Sequence, residues 1–412
     1  MRIQQKIYAR PVMGVLLNSE SVSNLKKQIA KPWVQWLAEG NKEVNNTLYF
    51  FSLKDVNLQS KKINGYYWHQ SNKRWLCQEF TLPDVLYLRS GLGKRYAQTF
   101  KRLCTIVTQN KGKLITHYTF NKWRLYEVLR QDPHMKRYLP ATREVKQPDD
   151  IKEMLQDYKV VYLKSHIGRK GEQVLRVEVL PDGGYQCSYF RDEQLTVKTI
   201  SDYQALLYDV NAFFKGKNYL IQQGIQLLKY DNRLIDMRAE LQHNGEGGLD
   251  IVGVSVRCGQ PGSPITTHGD AFQFEDFFVN KMGYSKEQVV AFRARVHTFL
   301  FDVYEYLENN YGKYAEIGID FATDPNNRIW FIEANSRSTK VSLNKAYGNA
   351  ALYRNSKTIL EYAKYLYGRP QHGVKQPVIN DIPRKRALPT QATTSLLHQR
   401  HSQRSRFNML RQ

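Results

Sequence analysis

The chain has 412 residues, of which 42% are hydrophobic and 24% charged, so it is long enough for two or three globular domains. A net charge of +23, from 61 Lys and Arg against 38 Asp and Glu, predicts attraction to polyanions such as nucleotides or anionic polymers. The four cysteines form no CxxC pair and so imply neither a cysteine zinc site nor a disulfide framework, and no apolar run reaches the roughly 20 residues of a membrane span. We therefore expect a cytoplasmic protein with no membrane span. The sequence contains no recognised nucleic-acid motif, so we expect no specific nucleic-acid binding.

The first part of the chain, residues 1–115, alternates short apolar runs with polar turns. This alternation is typical of an α/β domain. Strands are predicted at 8–17, 46–53 and 85–88, and helices at 22–39 and 94–108.

Residues 116–368 continue the alternation and are predicted to form a second, larger domain. The predicted helices lie at 121–130, 202–214, 286–311 and 350–367, and the predicted strands at 160–164, 174–180, 219–223, 233–241 and 251–257. Residues 369–412 differ in composition, with seven Lys or Arg and one acid from Asp381 to Gln412. Such a segment cannot bury enough apolar surface to fold alone, so we predict a basic, disordered tail.

A candidate metal site comes from a predicted β-hairpin. Residues 324–327 have the composition of a turn, and a turn centred there places Asp320 opposite Glu333. Side chains two apart on a strand share a face, so Glu333, Asn335 and the apolar Phe331 are predicted to point the same way. Opposed carboxylates repel unless a cation lies between them, and Mg²⁺ prefers such oxygen ligands. The pattern predicts a Mg²⁺ site of Asp320, Glu333 and Asn335, with an edge hairpin of solvated acids as the alternative.

Two lysines lie where a phosphate is commonly bound. Lys164 ends a predicted strand and precedes a loop with Gly168 and Gly171, whose backbone N–H groups can contact phosphates. A basic β-hairpin turn explains this loop equally well. Lys122 lies in the first turn of a predicted helix, where its charge opposes the helix dipole unless a phosphate is bound. A solvated helix lysine is the alternative for Lys122.

A strand that ends in two glutamines and two later arginines supply further candidate contacts. Backbone groups beside Gln222 and Gln223 can hydrogen-bond an adenine edge, although a plain core strand has the same sequence. Arg238 and Arg257 lie on consecutive predicted strands. If they converge, they can clamp a carboxylate or stabilise an oxyanion during acyl transfer. A surface ion pair between Asp236 and Arg238 is the alternative.

The order and spacing of these features resemble the ATP-grasp superfamily of carboxylate–amine ligases, and within it the YheC/YheD family of endospore coat-associated proteins. The resemblance covers roughly residues 80–365. It is carried by Pro-Asp-Val-Leu-Tyr at 83–87, Phe-Asn-Lys-Trp at 120–123, Leu-Pro-Ala-Thr at 139–142, the strand at 219–225, Asp-Met-Arg at 236–238, and the hairpin segments 317–320 and 329–335. It implies an α/β protein in which a two-lobed ATP-grasp unit at 116–368 follows the N-terminal α/β domain.

The resemblance also implies how a nucleotide would be bound. Lys122 and Lys164 would hold the phosphates of ATP. Gln222 and Gln223 would contact its adenine.

The same resemblance assigns the remaining candidates to the metal and the reaction. Asp320, Glu333 and Asn335 would bind Mg²⁺, while Arg238 and Arg257 would face an acyl phosphate or the substrate carboxylate.

With ATP and Mg²⁺ as cofactors, the implied activity joins a carboxylate to an amine through an acyl phosphate. Family context implies a role in spore coat formation, with spore coat proteins or an anionic polymer as partners. The alternative is a non-catalytic nucleotide-binding or structural coat protein that adheres through its basic surface.

Overall fold

The computed structural model describes residues 10–90, 96–115, 120–168, 171, 173–191, 194–266, 269–312 and 314–369. Apart from Arg369, the predicted basic tail lies outside the described residues. Residues 116–119, at the predicted junction of the two domains, also lie outside them, so that boundary stays a prediction.

The described residues up to 115, here called the N-terminal domain, form a seven-stranded sheet and three α-helices. Its strands are β1 Val12–Leu16, β2 Thr47–Phe51, β3 Val56–Asn57, β4 Lys62–His69, β5 Arg74–Thr81, β6 Val85–Leu88 and β7 Lys113–Ile115. Its helices are α1 Ser19–Lys26, α2 Pro32–Val44 and α3 Ala97–Gln109, with a 3-10 turn at Leu53–Asp55. The strand order is β3-β4-β2-β1-β6-β7 with β5 on β4, and β2, β1, β6 and β7 run parallel. This arrangement agrees with the predicted α/β pattern.

The prediction of a single helix at 22–39 is wrong, because the structure has two helices there. Helix α1 ends at Lys26, and Gln28 then adopts a left-handed backbone conformation with φ of 64°. Helix α2 starts at Pro32, which has no N–H to donate and therefore suits a first helical turn better than a helix interior.

The hairpin of β4 and β5 occupies a segment for which the sequence analysis predicts no strand. Its two strands pair Trp68 with Trp75, whose ring centroids lie 5.3 Å apart. Gly65 interrupts the apolar pattern of β4, and a side chain there would come within 2.6 Å of the Tyr49 ring. Close packing against Tyr49 thus requires a glycine at position 65. Because glycine is uncommon in strands, this residue weakens the strand pattern in the sequence.

The central lobe is a six-stranded antiparallel sheet with two helices packed on it. Its strands are β8 Thr142–Glu144, β9 Val160–Ser165, β10 Val174–Val179, β11 Tyr185–Arg191, β12 Gln194–Ile200 and β13 Tyr219–Gln223, in the order β12-β11-β10-β9-β13-β8. The helices of this part of the chain are α4 Lys122–Leu129, α5 Pro133–Lys136, α6 Pro148–Asp157 and α7 Tyr203–Phe214. Helices α6 and α7 cover the sheet with Ile151, Met154, Leu206 and Val210. Helix α4 instead packs Leu125 and Leu129 into the core of the next lobe.

The C-terminal lobe is a second six-stranded sheet with two long helices packed on it. Its strands are β14 Lys229–Tyr230, β15 Arg233–His243, β16 Leu249–Cys258, β17 Asp270–Gln273, β18 Glu316–Thr323 and β19 Ile329–Asn335, in the order β17-β16-β15-β18-β19 with β14 on β15. Its helices are α8 Phe274–Asp276, a π-helix at Phe277–Lys281, α9 Lys286–Tyr311 and α10 Val341–Tyr367. Helix α9 has the predicted bounds and packs through an apolar stripe that includes Val296, Phe299 and Val303.

Helix α10 joins the C-terminal lobe to the N-terminal domain. It begins at Val341, nine residues before its predicted start, with a non-helical kink at Gly348. Its second half buries Ile359, Leu360 and Ala363 in the same core as the N-terminal strands. No helix in the described part of the chain is both long enough and apolar enough to span a bilayer.

Candidate functional site

The hairpin of β18 and β19 has the register that the sequence predicts at its acidic residues. Asp320 lies directly opposite Glu333. In the turn, an Asp324 side-chain oxygen accepts two backbone N–H groups at 3.0 Å, and Asn327 takes the left-handed conformation with φ of 59°. The local turn chemistry therefore brings the two carboxylates together.

The prediction that Phe331 and Glu333 share a face is wrong, because a β-bulge separates them. Asp320 pairs with Glu333 but Phe321 pairs with Phe331, which leaves Ile332 as the extra residue. The Phe331 N–H leaves the ladder and donates to Tyr138 O at 2.8 Å. Phe331 is consequently buried in the core, whereas Ile332 and Glu333 both line a cavity.

This cavity lies between the sheets of the central and C-terminal lobes and has a volume of about 990 Å³ including its open mouth. That is within the usual size for a small-molecule site. Nine of the eleven predicted site residues line it, namely Lys122, Lys164, Gly168, Gly171, Gln222, Gln223, Arg257, Asp320 and Glu333. Arg238 and Asn335 are not among the lining residues, but they hydrogen-bond Asp320 and Glu333, which are.

Lys122 is placed by the first turn of α4. Asn121 caps this helix by accepting the Arg124 N–H at 3.0 Å, and the Lys122 N–H donates to His166 O at 2.9 Å. The Lys122 ammonium lies 2.5 Å from Glu333 Oε2. Burial raises the pKa of Glu333, but the charge and hydrogen bond of Lys122 outweigh it and hold that pKa well below its ordinary value. The carboxylate is therefore ionised at neutral pH.

Lys164 is a partly buried cation with a neutral partner. Among the described residues, its ammonium donates to Gln222 Oε1 at 2.6 Å and forms no ion pair. Burial, and then the charge of Lys122, lower the pKa of Lys164 to about 8, although Glu333 acts in the opposite direction. An anionic ligand in the cavity would stabilise the charged form of this side chain.

The two glutamines predicted to contact adenine hold neighbouring groups with their side chains. Gln222 accepts from Lys164 and donates through Nε2 to Thr142 Oγ1 at 2.9 Å, which fixes the orientation of its amide. Gln223 Oε1 accepts the Ala141 N–H at 3.2 Å. Gln222 thus orients Lys164, a relationship for which the sequence gives no separate signal.

Part of the cavity wall is apolar. It includes Ile225, Leu227, Leu234 and Ile332, which come from both lobes. Apolar side chains of this kind suit a flat aromatic ring, and the two lysines suit a negatively charged group.

Arg257 and Arg238 pair with different carboxylates, which are those of Asp236 and Asp320. Arg257 donates to Asp236 at 2.7 and 2.5 Å and lies 3.4 Å from Asp320. Arg238 binds both oxygens of Asp320, with Nη2 at 2.8 Å from Oδ2. The alternative of a surface pair between Asp236 and Arg238 is wrong, because Asp236 is 5% exposed and its partner is Arg257. Of the two predicted catalytic arginines, only Arg257 lines the cavity.

The oxygen atoms of the predicted metal site suit a cation that also takes ligands from a bound small molecule. The described residues hold no cluster of three or more His, Cys, Asp or Glu side chains that could bind a metal without further ligands. Asp320 and Glu333 supply two carboxylates. Asn335 donates its amide N–H to Glu333 at 2.9 Å, so the side-chain oxygen of Asn335 is the atom that can bind a metal ion. These three residues fit Mg²⁺, which takes few protein oxygens and completes its shell with phosphates and water.

A sequence model of the YheC/D-like ATP-grasp family matches residues 111–366. The chain belongs to this family. The match confirms the predicted family and the predicted α/β, ATP-grasp fold. The described part of the match holds all eleven candidate residues.

Two relatives from Bacillus subtilis (strain 168) are similar over most of the chain. Endospore coat-associated protein YheD is 25% identical over 330 residues, which cover 77% of this chain and 70% of YheD. Endospore coat-associated protein YheC is 23% identical over 325 residues, which cover 78% of this chain and 88% of YheC.

Solved structures are similar at lower identity. The VanG D-Ala:D-Ser ligase of Enterococcus faecalis has a TM-score of 0.49 and 10% identity, covering 87% of this chain and all of that chain. The D-alanyl-alanine synthetase A of Vibrio cholerae has a TM-score of 0.48 and 11% identity, covering 85% of this chain and 99% of that chain.

The structure also brings residues to the site that the sequence analysis did not single out. Glu240, Glu316 and Lys340 are almost fully buried behind Arg238 and Asp320. Polar residues at every second position of a strand with apolar residues between them are a signal that could have identified Glu240. Lys340 gives no such signal, because it is 100 residues away in sequence from the carboxylate that it contacts.

Proposed function

We propose that this protein binds Mg·ATP in the cavity between the lobes and uses it to join a carboxylate to an amine. The observation that carries the proposal is the juxtaposition of Lys122 and Lys164 with the opposed Asp320 and Glu333 in one cavity. Two cations beside a pair of oxygen ligands match the needs of a metal-bound polyphosphate. Membership in the ATP-grasp family supports the same reading.

In the proposed reaction, a carboxylate oxygen attacks the γ-phosphorus of ATP while the bond to the bridging oxygen breaks, giving an acyl phosphate and ADP. The lone pair of an amine then attacks the acyl carbon. Phosphate leaves and the amine nitrogen loses a proton, which gives an amide.

The residues have separate roles in this proposal. Asp320, Glu333 and Asn335 would hold Mg²⁺, which supplies Lewis-acid neutralisation of phosphate charge when bound. Lys164 would bind a phosphate oxygen, since its present partner is neutral. Arg257 reaches the cavity wall and would stabilise negative charge that develops on the acyl group.

The cellular role is also part of the proposal. Both Bacillus subtilis relatives are named as endospore coat-associated proteins. We propose that this chain acts on, or binds to, a component of the spore coat, with its +23 charge favouring anionic partners.

The test is an ADP-release screen with Mg·ATP, pooled amino acids and acidic peptides, run with and without hydroxylamine. Hydroxylamine should trap the acyl phosphate as a hydroxamate in step with ADP. Lys164→Met should abolish the signal. Lys198→Met should retain it, because Lys198 is an exposed lysine paired with Asp209 on the surface of the same lobe. ADP formation without hydroxamate, for each substrate that stimulates it, would contradict the proposal.

One observation favours a second function, that of a non-catalytic nucleotide-binding coat protein. Both carboxylates of the predicted metal site already have cationic partners. Glu333 pairs with Lys122, and Asp320 pairs with Arg238. Their charges are therefore balanced without a metal. This function predicts ATP binding that Mg²⁺ does not strengthen and no ADP release with any substrate.

A further inference from the structure

One face of β15 carries a row of polar side chains through the middle of the C-terminal lobe. Side chains at alternate positions of a strand point the same way, so Asp236, Arg238, Glu240 and Gln242 share this face. Each is bonded to a different partner, namely Arg257, Asp320, Lys340 and Asn355 in that order. The first two pairs belong to the candidate site, and the third contacts the second.

The third pair is a buried ion pair with an additional carboxylate. Glu240 is fully buried and Lys340 is 5% exposed. The Lys340 ammonium lies 2.6 Å from Glu240 Oε2 and 3.0 Å from Glu316 Oε2. Burial lowers the pKa of Lys340, but the two glutamates outweigh it and raise that pKa above its ordinary value. Lys340 is therefore charged and neutralises carboxylates that have left water.

A continuous chain of hydrogen bonds leads from Lys340 to Asp320. Glu240 accepts from Lys340 through one oxygen and from the Ser338 hydroxyl through the other. Arg238 Nη1 donates to Ser338 Oγ at 3.3 Å, and the same guanidinium holds both oxygens of Asp320. Hydrogen bonds thus link the Asp320 carboxylate to Ser338, Glu240 and Lys340, which are not among the residues that line the cavity.

The backbone is shaped to allow these contacts. Lys340 has φ of 60° and ψ of 19°, a left-handed conformation that is unfavourable for residues other than Gly, Asn and Asp. Gly318 lies opposite Glu240 in the β-ladder, and a Cβ there would lie 3.1 Å from Ser338 Cβ and 3.2 Å from Arg238 Nη1. The space that Gly318 leaves open is filled by Ser338 and Arg238.

A second arm of the network reaches the N-terminal domain. Arg89, just after β6, places Nη1 2.5 Å from Glu316 Oε1 and donates through Nη2 to Ser338 O at 3.3 Å. Tyr87 donates to Glu316 at 2.9 Å, and Trp33 stacks against the guanidinium of Arg89 at 4.7 Å. The N-terminal domain therefore supplies a second positive charge beside Glu316, in addition to that of Lys340.

We infer that Lys340 is a positioning residue that holds Asp320 in place for the metal, acting through Glu240, Ser338 and Arg238. The physical reason is competition for Arg238, whose Nη1 lies only 3.8 Å from Glu240 Oε1. Without Lys340, the buried Glu240 carboxylate loses the ammonium that neutralises it, and it draws the Arg238 guanidinium away from Asp320. The inference rests on the proposed Mg·ATP site.

The test compares Lys340→Met with Lys357→Met. Both lysines lie at or in α10 and form ion pairs, but Lys357 binds Glu43 at the surface. Calorimetry would measure the Mg²⁺ dependence of ATP binding and, separately, the affinity for AMP without metal. Lys340→Met should weaken the apparent Mg²⁺ affinity at least ten-fold and change AMP affinity less than two-fold. Lys357→Met should change neither.

A double variant separates positioning from general damage to the fold. Glu240→Gln combined with Lys340→Met removes the charge that competes for Arg238, so Mg²⁺ affinity should return to within three-fold of that of the unmodified protein. If Lys340→Met does not fold, the double variant decides alone: near-normal Mg²⁺ affinity supports the inference, and a ten-fold loss overturns it.

The remaining outcomes are distinct. Unchanged Mg²⁺ dependence in folded Lys340→Met would overturn the inference and leave the proposed function standing. ATP binding by the unmodified protein that does not depend on Mg²⁺ would overturn both.

Discussion

Replacing Lys164 with Met removes a partly buried cation from the cavity and keeps most of the side-chain volume. The pKa of Lys164 is about 8 rather than the ordinary 10.5, and this difference disfavours the charged form in the protein by about 3 kcal/mol. A phosphate oxygen in the cavity would reverse that preference. Losing a hydrogen bond between charged groups costs about 1.5–3 kcal/mol, so we expect ATP affinity to fall about 10- to 100-fold. AMP, with a single phosphate, should be weakened far less.

The lowered pKa of Lys164 also predicts how pH affects ATP binding by the unmodified protein. Below pH 8 Lys164 is already protonated, whereas above it ATP binding must include the uptake of a proton. Affinity should therefore be about ten-fold lower at pH 9 than at pH 7. The folded state also binds fewer protons at Lys164 than the unfolded state does between pH 8 and 10.5, so its contribution to stability rises with pH across that window.

The assay is calorimetry at pH 7 and pH 9 in buffers of different ionisation enthalpy, which reports the protons taken up for each ATP bound. The unmodified protein should take up close to one proton at pH 9 and almost none at pH 7. Lys164→Met should lose this uptake, and Lys198→Met should keep it, because Lys198 is 49% exposed and faces Asp209. Equal proton uptake in Lys164→Met, or equal losses for ATP and AMP, would refute the assignment of Lys164 to phosphate.

Two further predictions concern the metal and the basic tail. Glu333→Gln keeps the shape of a proposed Mg²⁺ ligand but removes its charge, so Mg·ATP affinity should fall at least ten-fold; unchanged affinity by calorimetry would contradict the metal site. Ending the chain at Gly368 removes the seven Lys and Arg counted after residue 380. The shortened chain should keep its melting temperature and Mg·ATP affinity but co-sediment less with polyanions, most clearly at low salt, where charges are least screened. Identical sedimentation of both chains across a salt series would show that the tail is not a tether.

Features that depend on a few neighbouring residues could be predicted from the sequence. The turn at 324–327 sets the register that places Asp320 opposite Glu333, and its residues carry that information themselves. Helix α9 likewise follows from an apolar stripe that repeats with the helical period.

Features that depend on distant contacts could not be predicted. The bulge at Ile332 accompanies a hydrogen bond from the Phe331 N–H to Tyr138, and no local pattern encodes that partner. The role of Gln222 depends on Lys164, which lies on the neighbouring strand 58 residues earlier. Lys340 meets Glu240 only because the chain after β19 folds back over β15.

The most direct test of carboxylate activation by Mg·ATP uses a substrate found in the ADP-release screen. Its carboxylate is labelled with ¹⁸O, and the phosphate released is analysed by mass spectrometry. Transfer through an acyl phosphate predicts one ¹⁸O atom in each phosphate, because the oxygen that attacks the γ-phosphorus leaves with it. Phosphate without ¹⁸O would mean that water, and not the carboxylate, attacks ATP, and would contradict the proposed ligase chemistry.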